Sequence, residues 1–113
     1  MTLHEKQVHF SRMFASLVLY AGTLGGEVVI DMVARSEEEQ ARLVAEGASQ
    51  TMDSKHLQRL AGDLLLFNAQ GTYLTNSQDY AALGAYWHGL DPANVWGGDW
   101  AGFQDGGHFE YAG

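Results

Sequence analysis

The chain has 113 residues, of which 46% are hydrophobic and 12% aromatic, and it contains no cysteine. This length is sufficient for one hydrophobic core, so we predict a single domain over residues 1–113. Disulfides and cysteine-rich metal sites are excluded, and any metal must be bound by His, Asp or Glu. A net charge of −8 without any Lys/Arg cluster excludes the common classes of nucleic-acid-binding protein.

The N-terminal residues do not follow the pattern of an export signal. His4-Glu5-Lys6 leads into a mixed segment, where a signal peptide would continue into an apolar core. No stretch approaches the roughly 18 apolar residues that span a bilayer. We therefore expect a protein that is made in the cytoplasm without an export signal and does not insert into membranes. We also expect it to be a monomer.

The first half of the chain predicts two helices and a strand. Apolar residues recur at helical spacing over residues 3–22, and glycines end this pattern. Residues 27–33 are rich in β-branched side chains and predict a strand. Ser36 and the three glutamates after it match a capping box, which predicts a second helix to about Glu46. A polar loop is expected over residues 47–55.

The second half predicts a hairpin, a third helix and two short strands. Residues 63–67 and 72–74 are the expected hairpin strands. Ser77 is expected to cap the third helix. The segments 96–100 and 108–111 are expected to be strands. Together these elements predict an α+β fold, in which about three helices pack on a small, mostly antiparallel sheet.

Two segments at opposite ends of the chain carry the residue types of a zinc site. A catalytic zinc is usually held by three His or carboxylate ligands, with a fourth position open to water. His56, Asp63 and His108 supply such a set, and Asp105 lies three residues before the last ligand, where a carboxylate could act on that water. Spacing alone leaves open that these residues are unrelated, because such pairs are common by chance and the His-Glu-x-x-His motif is absent.

The predicted strands suggest how these side chains could converge. Asp63 is expected to open one strand and His108 to begin another, so that pairing would bring them together. Gly106 and Gly107 are expected to adopt backbone angles that a Cβ would forbid, which would fold the loop over the metal. Glu110 lies two residues after His108, on the same face of a strand, and could orient that histidine.

The remaining histidines and tryptophans have simpler interpretations. We expect Trp87 and Trp96 to pack in the core, because a small domain needs large apolar side chains there. The histidines outside the two motifs lie on predicted helices and are expected at the surface or its boundary: His4, His9 and His88.

The motifs Ser-x-His-x-x-x-x-Ala-x-Asp, Trp-Gly-Gly-Asp-Trp and Asp-x-x-His-Phe-Glu resemble those of zinc peptidases that cut peptidoglycan stem peptides. That family includes D-alanyl-D-alanine carboxypeptidases and dipeptidases and phage L-alanyl-D-glutamate endopeptidases. The resemblance covers nearly the whole chain and implies a Hedgehog/D-Ala-D-Ala peptidase-like fold. It implies one zinc at the sheet edge, held by His56, Asp63 and His108. It also implies that Asp105 is the catalytic carboxylate, and an Asp there is similar to the endopeptidase branch.

The same resemblance assigns residues around the ligands. Ser54 matches the serine of the first motif and is implied to form a hydrogen bond that supports the site. Arg35 matches an arginine that polarises the scissile carbonyl or holds a substrate carboxylate. Many members carry Gly where this chain has Arg59, which could line the cleft or pair with an acidic neighbour. Trp100 is a further candidate for the substrate cleft.

We therefore predict a zinc peptidase that hydrolyses the L-Ala–D-Glu bond of peptidoglycan, as in phage lysis enzymes. The close alternative is a D-Ala-D-Ala carboxypeptidase, and the sequence does not separate lysis from a role of a virion component in entry. A rival is a non-catalytic zinc-stabilised binding module, as the Hedgehog signalling domain resembles the same fold, although Asp105 argues against it. Without an export signal, access to the cell wall would require a membrane-permeabilising partner.

Overall fold

The computed structural model describes residues 1–49 and 54–113. Within these ranges lie three α-helices: α1 (Leu3–Ala21), α2 (Glu37–Ala45) and α3 (Ala81–Leu90). The same ranges contain five strands: β1 (Glu27–Met32), β2 (Ala61–Phe67), β3 (Tyr73–Leu74), β4 (Asn94–Trp96) and β5 (His108–Tyr111). Short 3₁₀ helices occur at Lys55–Gln58, Ser77–Tyr80 and Gly97–Asp99. Part of the polar loop predicted over 47–55 lies outside the described residues.

The strands form one antiparallel sheet in the order β1-β2-β5-β4, and β3 pairs with the end of β2. This arrangement confirms the predicted α+β class. The β2–β5 ladder ends with Asp63 opposite His108. Two of the predicted ligands, 45 residues apart in the chain, are therefore neighbours across two inner strands. No helix among the described residues is long and apolar enough to cross a membrane.

The hydrophobic core lies on one face of the sheet, under α1 and α3. Gly62 faces this core, and a Cβ there would lie 2.4 Å from the Phe14 ring of α1. Trp87 and Trp96 are buried, which confirms their predicted place in the core. The Trp87 indole donates hydrogen bonds to backbone carbonyls of β4 and β5, so its N–H is satisfied. Burial of each large aliphatic or Phe side chain of this core stabilises the fold by about 1.5–3 kcal/mol.

The core determines which side chains reach the other face. Leu64 and Phe109 are buried in the core cluster. Because side chains alternate along a strand, their neighbours Asp63, His108 and Glu110 project from the opposite face. Packing on one face thus directs the polar side chains of β2 and β5 to the other.

Two of the predicted strand positions are wrong. β2 begins at Ala61, so Asp63 is its third residue and is held on both sides by pairing with β1 and β5. The predicted strand over 96–100 ends at Trp96, and the chain then enters the 3₁₀ helix Gly97–Asp99. Gly97 packs directly on another loop, since a Cβ there would lie 2.1 Å from the Asp105 carbonyl oxygen.

The predicted cap of the third helix is also wrong. Asn76 caps the 3₁₀ helix that leads into α3, because its Oδ1 accepts from the Gln78 N–H at 3.0 Å. The Ser77 hydroxyl instead accepts a hydrogen bond from the Gly106 N–H at 3.0 Å. Ser77 therefore anchors the loop that carries Asp105.

Gly106 and Gly107 are needed for space, and the prediction based on their backbone angles is wrong. Neither residue has a positive φ. A Cβ at Gly106 would lie 2.6 Å from the Ser77 Cα, and one at Gly107 would lie 2.6 Å from the Leu64 carbonyl oxygen. The loop before β5 therefore packs tightly against its neighbours, as the sequence suggested, but through close approach of backbones.

Candidate metal centre and cleft

Three side chains converge at the end of the β2–β5 ladder. One donor atom from each of His56, Asp63 and His108 lies within 4.8 Å of the other two. His56 Nε2 is 3.1 Å from Asp63 Oδ2, and His108 Nδ1 is 3.1 Å from Asp63 Oδ1. Both histidines are buried, with 2% and 6% of their surface exposed. A carboxylate thus lies between two imidazoles that have almost no access to bulk water.

The local structure fixes how His56 presents its ring. Ser54 caps the 3₁₀ helix Lys55–Gln58, and its hydroxyl accepts from the His56 N–H at 3.2 Å. His56 Nδ1 lies 2.9 Å from the Val33 carbonyl oxygen. A carbonyl can only accept, so Nδ1 carries the proton and Nε2 directs a lone pair at Asp63. Nε2 is buried and forms no hydrogen bond of acceptable geometry within the described chain, as expected of a metal ligand.

His108 is oriented in the same way by a different group. Its Nε2 lies 2.7 Å from Glu110 Oε1, the carboxylate two residues later on the same face of β5. Because Nε2 donates its proton to this carboxylate, Nδ1 is the nitrogen that faces Asp63 and would bind a metal in the neutral ring. Metal-bound histidines commonly donate their other N–H to a carboxylate or a carbonyl, and here one histidine has each kind of partner.

The electrostatics of the group favour a cation. Burial raises the pKa of Asp63, but the neighbouring imidazoles of His108 and His56 outweigh it and lower the pKa to about 2. Burial lowers the pKa of His108, but Asp63 and Glu110 on either side of the ring raise it to about 9. Asp63 is therefore ionised at neutral pH, and positive charge next to it is stabilised.

Arg35 lies next to the Asp63 carboxylate, and most of its hydrogen-bond donors already contact other residues of the protein. Its Nη2 is 3.6 Å from Asp63 Oδ2, and its side chain is only 9% exposed. Nη1 donates to Gln40 Oε1 at 2.6 Å, and Nε donates to Met32 Sδ at 2.9 Å. Gln40 is fully buried on α2. The guanidinium is therefore a fixed cation beside Asp63.

A cleft of about 780 Å³ opens over the three side chains. Asp105 and Trp100 line it, and the Trp100 ring centroid is 5.0 Å from that of His108. The Asp105 backbone is fixed on both sides, since its N–H donates to the Gly97 carbonyl and its carbonyl accepts from the His108 N–H. Burial and the charge of Asp63 raise the pKa of the Asp105 carboxyl. Its side chain has no hydrogen-bonding partner in residues 1–49 and 54–113.

The structure places Arg59 outside this cleft. Arg59 lines a separate shallow depression beside α1, together with Arg12 and Val33. It has no ion pair with any acidic residue in the described ranges. Its backbone is left-handed, with φ of 58° and ψ of 39°, at the C-terminal end of the 3₁₀ helix. Many members of the resembled family carry Gly at this position, and Gly adopts a left-handed backbone without strain. The difference between Gly and Arg59 therefore affects the backbone conformation at this position.

Several residues near the site were missed from the sequence. The Val33 carbonyl and the Gln40 amide each contact a site residue, but nothing in a single sequence distinguishes a carbonyl or one glutamine from others. Lys55, Tyr73 and Phe103 also line the cleft. Only Lys55 had a usable signal, because it precedes His56 inside the first motif.

Comparison with known proteins identifies the family of the chain. The model of a peptidase family described as D-alanyl-D-alanine carboxypeptidase matches residues 47–111, a range that contains both candidate motifs. The chain belongs to this family. The L-alanyl-D-glutamate peptidase of Listeria phage A118 is 36% identical to the chain over 91 residues, which are 77% of this chain and 31% of that protein. The chain thus spans about a third of the length of this family relative.

Two solved structures share the fold. The L-Ala D-Glu endopeptidase ChiX of Serratia marcescens superposes with a TM-score of 0.70 at 26% identity, over 96% of this chain and 79% of ChiX. The vancomycin resistance D,D-pentapeptidase VanY, solved in complex with Zn(II), gives a TM-score of 0.59 at 20% identity, over 92% of this chain and 71% of VanY. The second likeness shows the fold alone. The family match confirms the predicted family, and the two structures confirm the predicted fold.

Proposed function

We propose that the chain is a zinc peptidase that hydrolyses the L-Ala–D-Glu bond of peptidoglycan stem peptides at the cell wall. The observation that carries this proposal is the convergence of His56 Nε2, Asp63 and His108 Nδ1 beside a cleft. The substrate is supported by the phage relative, named for L-alanyl-D-glutamate cleavage, and by ChiX, which has the same activity in its name.

The three side chains fit a zinc ion. Zinc takes three nitrogen or oxygen ligands in catalytic sites and leaves one position open. The buried Nε2 of His56, which lacks a partner in the described residues, is the polar atom that a bound metal would satisfy. Zinc held by His56, Asp63 and His108 would supply a Lewis acid and lower the pKa of a water in the open position.

Asp105 is proposed to move the protons of the reaction. It lies in the cleft outside the ligand group, and its backbone is held by Gly97 and His108. Its carboxylate would accept a proton from the attacking water and later donate one to the leaving amine of D-Glu. The raised pKa of Asp105 favours this exchange, because it brings the carboxyl closer to the working pH.

Arg35 is proposed to help through its charge. Its guanidinium, 3.6 Å from Asp63, contributes positive potential where the carbonyl oxygen becomes negative during attack. Since Nε and Nη1 already donate to Met32 and Gln40, a direct grip on a substrate carboxylate is not the role that these contacts favour. Ser54 and Glu110 are proposed to support the histidines, and Trp100 to form one wall of the cleft.

The test is digestion of soluble muropeptides by the zinc-loaded protein, with products identified by mass spectrometry. We expect cleavage between L-Ala and D-Glu, and a loss of at least about 100-fold in Asp105→Asn while zinc stays bound. Asp99→Asn, an exposed carboxylate on the nearby 3₁₀ helix, is the matched control and should retain full activity. Undiminished cleavage by Asp105→Asn would contradict the role of Asp105.

The same digestion decides between the proposed function and its rivals. The family description favours D-alanyl-D-alanine carboxypeptidase as the second candidate, and this activity would release free D-Ala. A binding module would hold zinc and cleave neither bond. We keep the monomeric state and the need for a membrane-permeabilising partner as predictions.

A further inference from the structure

The charges that line the cleft are unbalanced. Carboxylates outnumber Lys and Arg side chains among the described residues that line the cleft. These charged residues are Asp31, Arg35, Lys55, Asp63, Asp105 and Glu110. A bound zinc would offset the carboxylates nearest to it. A substrate that itself carries carboxylates still needs a cation that is not already paired, since like charges in a cleft repel.

Lys55 and Arg35 differ in what they are free to bind. Arg35 already contacts Asp63, Gln40 and Met32. The Lys55 side chain has no ion pair and no hydrogen bond with any residue that the structure describes. Its three N–H donors are therefore available to a ligand in the cleft.

The position of Lys55 is set by the same local structure that positions His56. Both residues lie on the 3₁₀ helix that Ser54 caps. The Lys55 carbonyl accepts from the Leu60 N–H at 3.0 Å, which fixes the backbone from which the side chain extends. Lys55 thus lines the cleft one residue from a predicted zinc ligand, and its long side chain extends from a fixed backbone.

We propose that Lys55 binds the α-carboxylate of the substrate D-Glu and so determines specificity, an inference that depends on the proposed function. The D-Glu nitrogen belongs to the scissile bond, and the α-carboxylate is attached to the carbon that bears this nitrogen. This carboxylate therefore lies beside the reacting atoms whenever the bond is in place. A charge-assisted hydrogen bond from Lys55 would hold it and neutralise it within an acidic cleft.

The test compares two muropeptides that differ only in this group, one with a free α-carboxylate on D-Glu and one with the α-carboxamide. We expect the zinc-loaded wild type to favour the acid by about tenfold in kcat/KM. Lys55→Gln should lose about tenfold on the acid and remain unchanged on the amide. Lys55→Arg should keep the preference, because it keeps the charge. Lys6→Gln on α1 removes the same charge from a residue that does not line the cleft and should match the wild type.

Other outcomes overturn the assignment in distinguishable ways. Equal losses of Lys55→Gln on both substrates would indicate a structural role, and unchanged activity on both would indicate no role. A wild type that cleaves both muropeptides at the L-Ala–D-Glu bond without preference would overturn the Lys55 assignment and leave the proposed function intact. A wild type that cleaves neither would overturn the proposed function, and the Lys55 assignment with it.

Discussion

Histidine–carboxylate contacts occur in two kinds of environment in this molecule. The buried group combines two histidines on one shared carboxylate, with donor distances of 3.1 Å. Two further pairs lie at the surface, with distances of 2.9 and 2.6 Å. The members of the buried group are His56, Asp63 and His108, and the surface pairs are His9–Asp91 and His88–Asp99.

The buried group differs from the surface pairs in convergence and burial. Distance does not distinguish them, since the surface contacts are shorter than the buried ones. In the His88–Asp99 pair, the side chains are 45% and 55% exposed, so water competes for every polar atom. Such exposed pairs contribute about 0–1 kcal/mol. In the buried group, His56 Nδ1 contacts the Val33 carbonyl and His108 Nε2 contacts Glu110, so the other nitrogen of each ring faces Asp63. A histidine beside a carboxylate is thus not by itself evidence of a metal site. A buried histidine that is also oriented by a second partner is such evidence.

The largest expected difference between the two environments is in activity. His56→Ala should reduce muropeptide cleavage at least about 1000-fold, because it removes a ligand of the proposed zinc. His88→Ala removes the same side chain from an exposed pair and should retain wild-type kcat/KM. Comparable losses in both variants would mean that the buried group has no special role.

A smaller effect is expected from the carboxylates that contact these histidines. Glu110→Gln should weaken zinc affinity by about 10–100-fold, because it replaces the partner that orients His108. Asp99→Asn makes the matching change beside His88 and should leave the affinity unaltered. Competition with a metal-sensitive dye measures both constants. If Glu110→Gln bound zinc as tightly as wild type, the orienting role of Glu110 would be excluded.

The smallest effect is expected at the other surface pair and depends on pH. The N–H of Ala93 and the neighbouring His9 lower the pKa of Asp91. Stability from this carboxylate is therefore present above the ordinary Asp pKa of about 3.9 and is lost as the pH falls through its lower folded value. Asp91→Asn should cost less than about 1 kcal/mol near neutral pH.

Urea unfolding of wild type and Asp91→Asn measures this cost at several pH values. The difference in unfolding free energy between the two proteins should shrink as the pH falls below about 4. A difference that stayed constant or grew towards acid would contradict the direction of the Asp91 pKa shift.

The sequence predicted the centre of the site better than its surroundings. The convergence of His56, Asp63 and His108 could be predicted, because a metal site needs particular side chains and because the two motifs resemble those of a known family. The helices followed from apolar spacing and caps, as with the Ser36 hydroxyl that accepts from the Glu39 N–H. These signals are local, so they survive without knowledge of the tertiary structure.

The failures have a common physical origin in long-range backbone contacts. Gly97 ends a predicted strand because its backbone lies against Asp105, eight residues away. Gly106 was attributed to special backbone angles, but the neighbouring Ser77 leaves no room for a Cβ. The Val33 carbonyl orients His56 across 23 residues, and any residue type at 33 would offer the same carbonyl. Such contacts depend on where the chain folds back and leave no mark on one sequence.

The most direct test of the central claim is the zinc content of the purified protein, measured by elemental mass spectrometry after dialysis. Wild type and His88→Ala should each hold one zinc per chain, whereas Asp63→Asn should hold almost none, because Asp63 is the carboxylate that both buried histidines share. Equal zinc in Asp63→Asn and wild type would contradict the account, since the metal would then be bound somewhere other than the buried group.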